Sequence, residues 1–247
     1  MADNRSLAYL QPTEVQDARA IWVNPAGLGV RPEASVYIDF TAARAGGGRL
    51  RQLDAGFNSR GFSFAYQRDI FDGGVTGHTY RLGLGTSAGA LAVGFATSLY
   101  RGGGAKAMGW DLGGLYRLDP RLTVGATVTN LGQPVVRGLR QAVRYTAGAT
   151  AAPIPALRAS ALASAGSGGL GGFALTLRAL FGASLPLSAL ARMDTDQRLR
   201  RTQFAFGFTV GGADQAGLVG TTPGDVSSLD NLTLVGVSTR AAVARRH

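Results

Sequence analysis

Long stretches of this sequence alternate bulky apolar residues with small or polar ones, residue by residue. In Leu91–Leu99, one face carries Leu91, Val93, Phe95, Thr97 and Leu99. In Leu122–Val128, Leu122, Val124, Ala126 and Val128 oppose Thr123, Gly125 and Thr127. In Phe173–Phe181, Phe173, Leu175, Leu177, Ala179 and Phe181 oppose Ala174, Thr176, Arg178 and Leu180. In Gln203–Val210, Phe204, Phe206, Phe208 and Val210 alternate with Gln203, Ala205, Gly207 and Thr209. Period two is the strand signature. A soluble sandwich buries its large residues between two sheets and turns polar ones outward. Here the bulky set is the continuous one, and its opposite set is small or polar. A barrel in lipid demands that pattern, because every second residue faces hydrocarbon. The expected fold is an all-β, transmembrane antiparallel β-barrel.

Composition agrees. Charged residues make up 16% of the 247, against about 25% in ordinary globular domains. A mean hydropathy of +0.09 lies between the values expected of soluble chains and of helical membrane bundles. The 37 glycines have no collagen period and interrupt nearly every apolar stretch, which opposes long helices. Two uncharged windows, Leu82–Tyr100 and Ala159–Leu177, are long enough to span a bilayer as helices. The first contains Gly83, Gly85, Gly89 and Gly94, and the second centres on Gly166–Gly169, so both read as strand–turn–strand.

Turn residues divide the chain into Ala34–Ala43, Arg49–Asn58, Gly61–Asp69, Gly77–Thr86, Ala90–Arg101, Ala107–Leu118, Arg121–Asn130, Arg140–Thr150, Leu157–Ala165, Gly172–Ala183, Leu185–Asp194, Arg200–Gly211, Ala216–Thr222 and Leu232–Ala242. That is about 14 strands, an even number as single-chain bacterial barrels use. The Ala- and Leu-rich stretch 151–192 also fits helices, which would leave about 12 strands. Aromatics fall near strand ends (Phe57, Phe62, Tyr66, Tyr80, Tyr100, Trp110, Tyr116 and Tyr145), as interface girdles or as ordinary strand formers.

Several function classes drop out. The net charge of +10 comes from spread arginines, not from the clustered patch nucleic acid requires. Without cysteine, and with His78 and His247 the only histidines, no metal centre or cofactor is expected. No Gly-x-Ser-x-Gly elbow is present and no second useful His could build a triad, so no enzyme is expected. Gly83-x-Gly85-x-x-Ala88 resembles a dinucleotide loop, but period two resumes at Leu91 where a helix would have to start. Asp194 and Asp196 read as solvating a polar turn. Met1–Leu10 has no basic region followed by an apolar run. Since an outer-membrane protein requires export, the chain reads as a mature or re-cloned form with Met1 added, against the competing reading of a cytosolic protein.

Residues 1–33 are not strand-like. Ala18–Ile21 fits a short helical turn, and Asn24-Pro25-Ala26-Gly27-Leu28-Gly29 carries turn chemistry. The expected division is an N-terminal plug or hatch-like segment at 1–33 and a β-barrel at 34–247. "IWVNPAGLG" resembles the NPAGL signature of FadL-like and PorV-like outer-membrane barrels. Trp110–Pro134, "WDLGGLYRLDPRLTVGATVTNLGQP", is similar to the strand–turn–strand and Asn-Leu-Gly of the PorV-like group, and Arg144–Ser164 continues with a similar hairpin. The arrangement also resembles the barrel region fused to some SppA-type signal peptide peptidases. The resemblance implies an outer-membrane location and a plug or gating role for Asn24, Pro25, Ala26 and Gly27. In FadL-like members the barrel passes hydrophobic molecules; in PorV-like members it serves secreted proteins or complexes. The chain departs from the common pattern at Ala241–His247, where outer-membrane barrels finish on an aromatic residue.

By parity, the polar residues facing the lumen are Asp39, Gln52, Asp54, Asn58, Gln67, Arg81, Asp111, Arg144, Arg158, Arg178, Arg192 and Gln203. Acids sit mainly on early strands and arginines on later ones. Such walls either set a transverse field across a pore or pair up and close it, since charges in a small lumen must be paired or hydrated. The expected function is non-enzymatic transport of small or hydrophobic molecules across the outer membrane. The alternative is a docking barrel that anchors a secretion component or peptidase. A soluble β-rich binding protein is the third reading. Expected partners are membrane lipid or lipopolysaccharide, a hydrophobic small molecule and a protein partner, with no nucleic acid.

Overall fold

The computed structural model describes residues 5–31, 33–43, 49–136, 138–182 and 184–241. Its strands are β1 (Glu33–Ala43), β2 (Arg49–Ser59), β3 (Phe62–Ile70), β4 (Thr76–Ala88), β5 (Leu91–Gly102), β6 (Ala105–Asp119), β7 (Leu122–Leu131), β8 (Arg144–Ile154), β9 (Leu157–Gly166), β10 (Gly169–Phe181), β11 (Leu187–Asp196), β12 (Arg201–Val210), β13 (Asp214–Pro223) and β14 (Asn231–Ala241). Each pairs antiparallel with its neighbour in sequence. β1 and β14 close the ring in unbroken register from Glu33↔Ala241 to Ala43↔Asn231. Closure leaves no sheet edge, the condition for β-structure in hydrocarbon.

These are the 14 strands read from the alternation. The stretch 151–192 resolves into strands β8 to β11, not helices, and both uncharged windows are hairpins. Gly83 and Gly85 lie in mid-β4, with no dinucleotide loop. The strand expected from Arg140 starts at Arg144; Arg140 pairs instead with Val135 in a two-stranded ribbon within the 132–143 connection. Ala183, Ala242 and the tail to His247 lie outside the described residues, as do residues 1–4 and 32 of the N-terminal segment.

The two rims differ. At one, the hairpins β2–β3, β4–β5, β6–β7 and β8–β9 close in two residues each. Arg60 and Gly61, with φ of 51° and 89°, make the first of these, the left-handed pair a type I′ turn requires. The opposite rim carries the longest connections, 132–143 and 224–230. Barrels place short turns in the periplasm and longer loops outside, so the latter is the outer rim.

Outward residues are large and apolar, among them Leu82, Leu84, Leu112, Leu175, Leu177 and Phe206. The core lies inside the ring and comes largely from the N-terminal segment: Tyr9, Leu10, Val15, Ala18, Ile21, Trp22 and Leu28 pack on inward Tyr37, Ala65, Ala96, Val219 and Val235. Tyr100, grouped with the outer aromatics in the sequence, turns inward and is buried.

Candidate functional site: the barrel interior

The interior is built from two opposed walls and the segment between them. On β1 and β2, Asp39 and Asp54 are direct cross-strand partners, with exposures of 1% and 0%. Gln52 and Gln67 beside them both donate to Asp69, at 2.7 and 3.0 Å. On β9 and β10, Arg158 and Arg178 face each other in the same way, with Arg192 on β11 next along. Like charges directly opposite one another destabilise a sheet. Ring order puts β1–β3 across the barrel from β9–β11, so an acidic wall confronts a basic one.

The N-terminal segment meets each wall with complementary groups. Tyr9 donates its hydroxyl to Asp39 Oδ2 at 2.7 Å, and Arg19 Nη1 lies 3.4 Å from the same hydroxyl. Burial, and then the Asp39 charge, hold the Tyr9 phenol well above its usual range, which keeps it a donor. Arg19 is itself anchored by Asp17, through Nε at 2.9 Å and Nη2 at 2.7 Å. Burial acts to raise the Asp17 carboxyl, but the Arg19 charge and hydrogen bonds outweigh it and hold that carboxyl below the ordinary range. Toward the basic wall, Glu14 lies 3.3 Å from Arg178 Nε and accepts from Ser160 Oγ at 2.6 Å. Arg178 and Arg192 also donate to the carbonyls of Tyr9 and Leu10, at 3.2 and 3.4 Å.

Asn24–Gly27 occupies a different seat. Asn24, Pro25, Ala26 and Leu28 are buried, and 25–29 is a short 3₁₀ turn capped by Asn24 Oδ1, which accepts from Ala26 N at 3.1 Å. Asn24 Nδ2 donates to Pro12 O at 3.0 Å and to Gly114 O at 3.3 Å. The seat is floored by glycines of β4, β5 and β6. A Cβ at Gly94 would collide with the Pro25 carbonyl, one at Gly113 with Asn24 Oδ1, and one at Gly83 would lie 2.7 Å from Leu28 Cδ1. Part of the chain's glycine richness therefore clears space for this turn. Asn58 Nδ2 and Ser87 Oγ fasten its far end, donating to Leu28 O at 3.2 Å and Gly29 O at 2.8 Å.

The helical turn expected at Ala18–Ile21 lies at Ala20–Val23. Asp17 delays it: its side chain accepts from Arg19 N at 2.9 Å and holds the chain in a turn first. On that helix Trp22 donates to the Tyr37 hydroxyl, and the Arg81 guanidinium lies 5.0 Å over its ring. Arg81 pairs with Asp111, which also accepts from Asn130 N at 2.8 Å.

A cavity of about 580 Å³ opens toward the outer rim, lined by Trp22, Arg81, Asp111, Asn130 and Arg144. A second, of about 560 Å³, lies toward the inner rim among Tyr9, Glu14, Arg19, Arg158 and Arg178. Both are the size of ordinary small-molecule sites. The residues named from the sequence thus divide: Asp39 and Asp54 lie at the acidic wall, Arg81, Asp111 and Arg144 at the outer cavity, Arg158 and Arg178 at the inner one. Arg192 pairs with Asp194 at 2.8 Å. Asp194 is on β11, not in the turn, while Asp196 does cap the turn by accepting from Arg198 N and Arg200 N. The partners missed in the sequence are Tyr9, Glu14, Asp17, Arg19 and Trp22. Among the described residues no cluster of metal-ligating side chains occurs.

No protein-family model matches the sequence, and no curated protein matches it. The fold is similar to that of the Ralstonia pickettii toluene transporter TbuX, at 11% identity and a TM-score of 0.64, over 95% of this chain and 99% of that one. It is also similar to a Pseudomonas aeruginosa FadL homologue, at 9% identity and a TM-score of 0.51, over 95% and 96%. At such identities the likeness speaks for fold alone. Ring closure, an apolar exterior and this shared architecture make the chain an outer-membrane β-barrel of 14 strands.

Proposed function

We propose that this barrel is a non-enzymatic transporter of small or hydrophobic molecules across the outer membrane, with residues 1–33 as its plug. The carrying observation is charge matching. Each wall alone sets like charges face to face, and the N-terminal segment brings Tyr9 and Arg19 to the acids and Glu14 to the arginines. The cavities on its two sides then belong to one path, interrupted by a removable obstacle. Asn24, Pro25, Ala26 and Gly27 form the fixed end of the gate, about which 5–19 swings when its polar contacts break. The resemblance to FadL-like sequences and the toluene transport named for TbuX favour a hydrophobic cargo.

The interior ion pairs Arg81–Asp111 and Arg192–Asp194 favour a second reading, a closed PorV-like or peptidase-associated barrel that docks a protein partner. Vesicles carrying the folded chain separate the two. A transporter admits small solutes faster than empty vesicles do, and more so when the plug contacts are weakened. Vesicles that stay sealed in both cases move the assignment to docking.

A further inference from the structure

The outward face near the outer rim carries a run of basic residues on four adjacent strands. Arg68 on β3 is the direct cross-strand partner of His78 on β4, His78 of Arg101 on β5, and Arg101 of Lys106 on β6. All four share outward parity; Arg68, Arg101 and Lys106 are exposed. Lys106 is the sole lysine of the chain. Nearest neighbours across strands lie about 5 Å apart, so the run spans about 15 Å. Near the same rim on other walls, outward Tyr145, Ala165 and Leu232 are uncharged, and Arg201 on β12 stands as a single basic residue whose Nε donates to Gly224 O.

Arg101 and Lys106 are like charges placed directly opposite one another, which is unfavourable without a counter-anion. Arg68, Arg101 and Lys106 have no carboxylate within ion-pair distance among the described residues, whereas neighbouring Arg51 pairs with Asp72 at 2.6 Å. The next outward row toward the membrane centre is Tyr66, Tyr80, Leu99 and Met108, in register with the basic one. The Tyr66 and Tyr80 rings pack tilted with centroids 5.3 Å apart, and Tyr66 fixes His78 by stacking on it at 6.0 Å and through a 2.7 Å hydrogen bond. Aromatic residues mark the headgroup boundary, and the long basic side chains beyond them reach into the headgroups.

We propose that Arg68, His78, Arg101 and Lys106 form a binding row for the phosphate groups of lipopolysaccharide in the outer leaflet. The inference rests on the outer-membrane location, not on transport. Each surface arginine contributes enough attraction to an anionic leaflet that removing two weakens binding about thirtyfold.

The test titrates the detergent-solubilised folded chain with diphosphoryl lipid A, its dephosphorylated form and phosphatidylglycerol, and reads bound lipid by native mass spectrometry. The expected order is diphosphoryl lipid A first by a wide margin. Arg68→Ala combined with Arg101→Ala lowers its binding about thirtyfold, while Arg198→Ala combined with Arg200→Ala, at the same rim on another wall, leaves it unchanged. Equal loss in both pairs, or no loss in the first, overturns the proposal. The wild-type chain decides even if a variant fails to fold: equal binding of all three lipids also overturns it.

Discussion

Replacing Gly94 by valine tests the seat of the plug. The added Cβ would fall on the Pro25 carbonyl carbon and oxygen and against Ala26 N, which are backbone atoms with no rotamer to yield. The 25–29 turn must therefore lift from β5. Lifting breaks the hydrogen bonds that Asn24 Nδ2 donates to Gly114 O, Asn58 Nδ2 to Leu28 O and Ser87 Oγ to Gly29 O. Three such bonds contribute about 3 kcal/mol net. Partial exposure of Leu28, now fully buried, adds about 2 kcal/mol. The seated state then loses 3–5 kcal/mol at most, roughly a hundredfold to several thousandfold in its ratio to the displaced state. The ladder of β5 need not change, so the barrel still folds. In planar bilayers the variant spends most of its time conducting, where the wild type conducts in rare steps. Gly114→Ala on β6 is the control, since a Cβ there meets nothing within 4 Å. A folded Gly94→Val barrel with wild-type conductance refutes the seat as a determinant of closure.

Other perturbations probe separate parts of the structure. Arg81→Ala leaves Asp111 buried without its cation and costs about 3–5 kcal/mol in urea unfolding from vesicles; removing both partners recovers most of that loss, and an equal loss in the double variant would mean the pair is not what matters. Phe206→Arg, at the middle of β12 on the lipid face, costs about 2–4 kcal/mol, whereas Thr209→Arg, facing the inner cavity, is tolerated; heat-modifiable gel mobility reports both, and equal tolerance contradicts the assigned faces. For Asp17, the folded carboxyl lies below its unfolded value. Its contribution is therefore complete above about pH 4 and is lost as pH falls through the depressed value. The stability gap between wild type and Asp17→Asn is constant at higher pH and shrinks below about 4; a gap that grows on acidification reverses the sign.

The barrel was legible because lipid imposes a two-residue rhythm that survives local variation. Even Leu157–Ala165, whose Ala and Leu suit a helix, keeps Leu157, Ala159, Ala161, Ala163 and Ala165 on one face, with only Leu162 among the apolar residues turned inward, and forms β9. The chemistry of the interior was legible only on one side. Parity places Asp39 or Arg178 on the inner face, but their partners Tyr9 and Glu14 sit in an irregular segment without period, 30 and more residues away. Arg192–Asp194 was within reach: residues two apart on a strand share a face, and their opposite charges were the available signal. Tyr100 misled because its position near a strand end suggests a girdle, while its parity, shared with Ala96 and Ser98, points inward. The glycines were legible as breakers of helices and not as a floor, since only the folded ring brings Gly83, Gly94 and Gly113 beneath one turn.

A reversible lock on the plug decides whether the path through the barrel depends on its movement. The chain has no cysteine, so a single engineered pair is unambiguous. Ala18 N lies 2.8 Å from Ser35 Oγ, which brings the plug and β1 together there. With Ala18→Cys and Ser35→Cys in planar bilayers, conductance steps should appear under reducing conditions, vanish on oxidation and return with reductant. Steps that persist unchanged when the disulfide is closed, or silence in both states, contradict a transport path gated by the N-terminal segment.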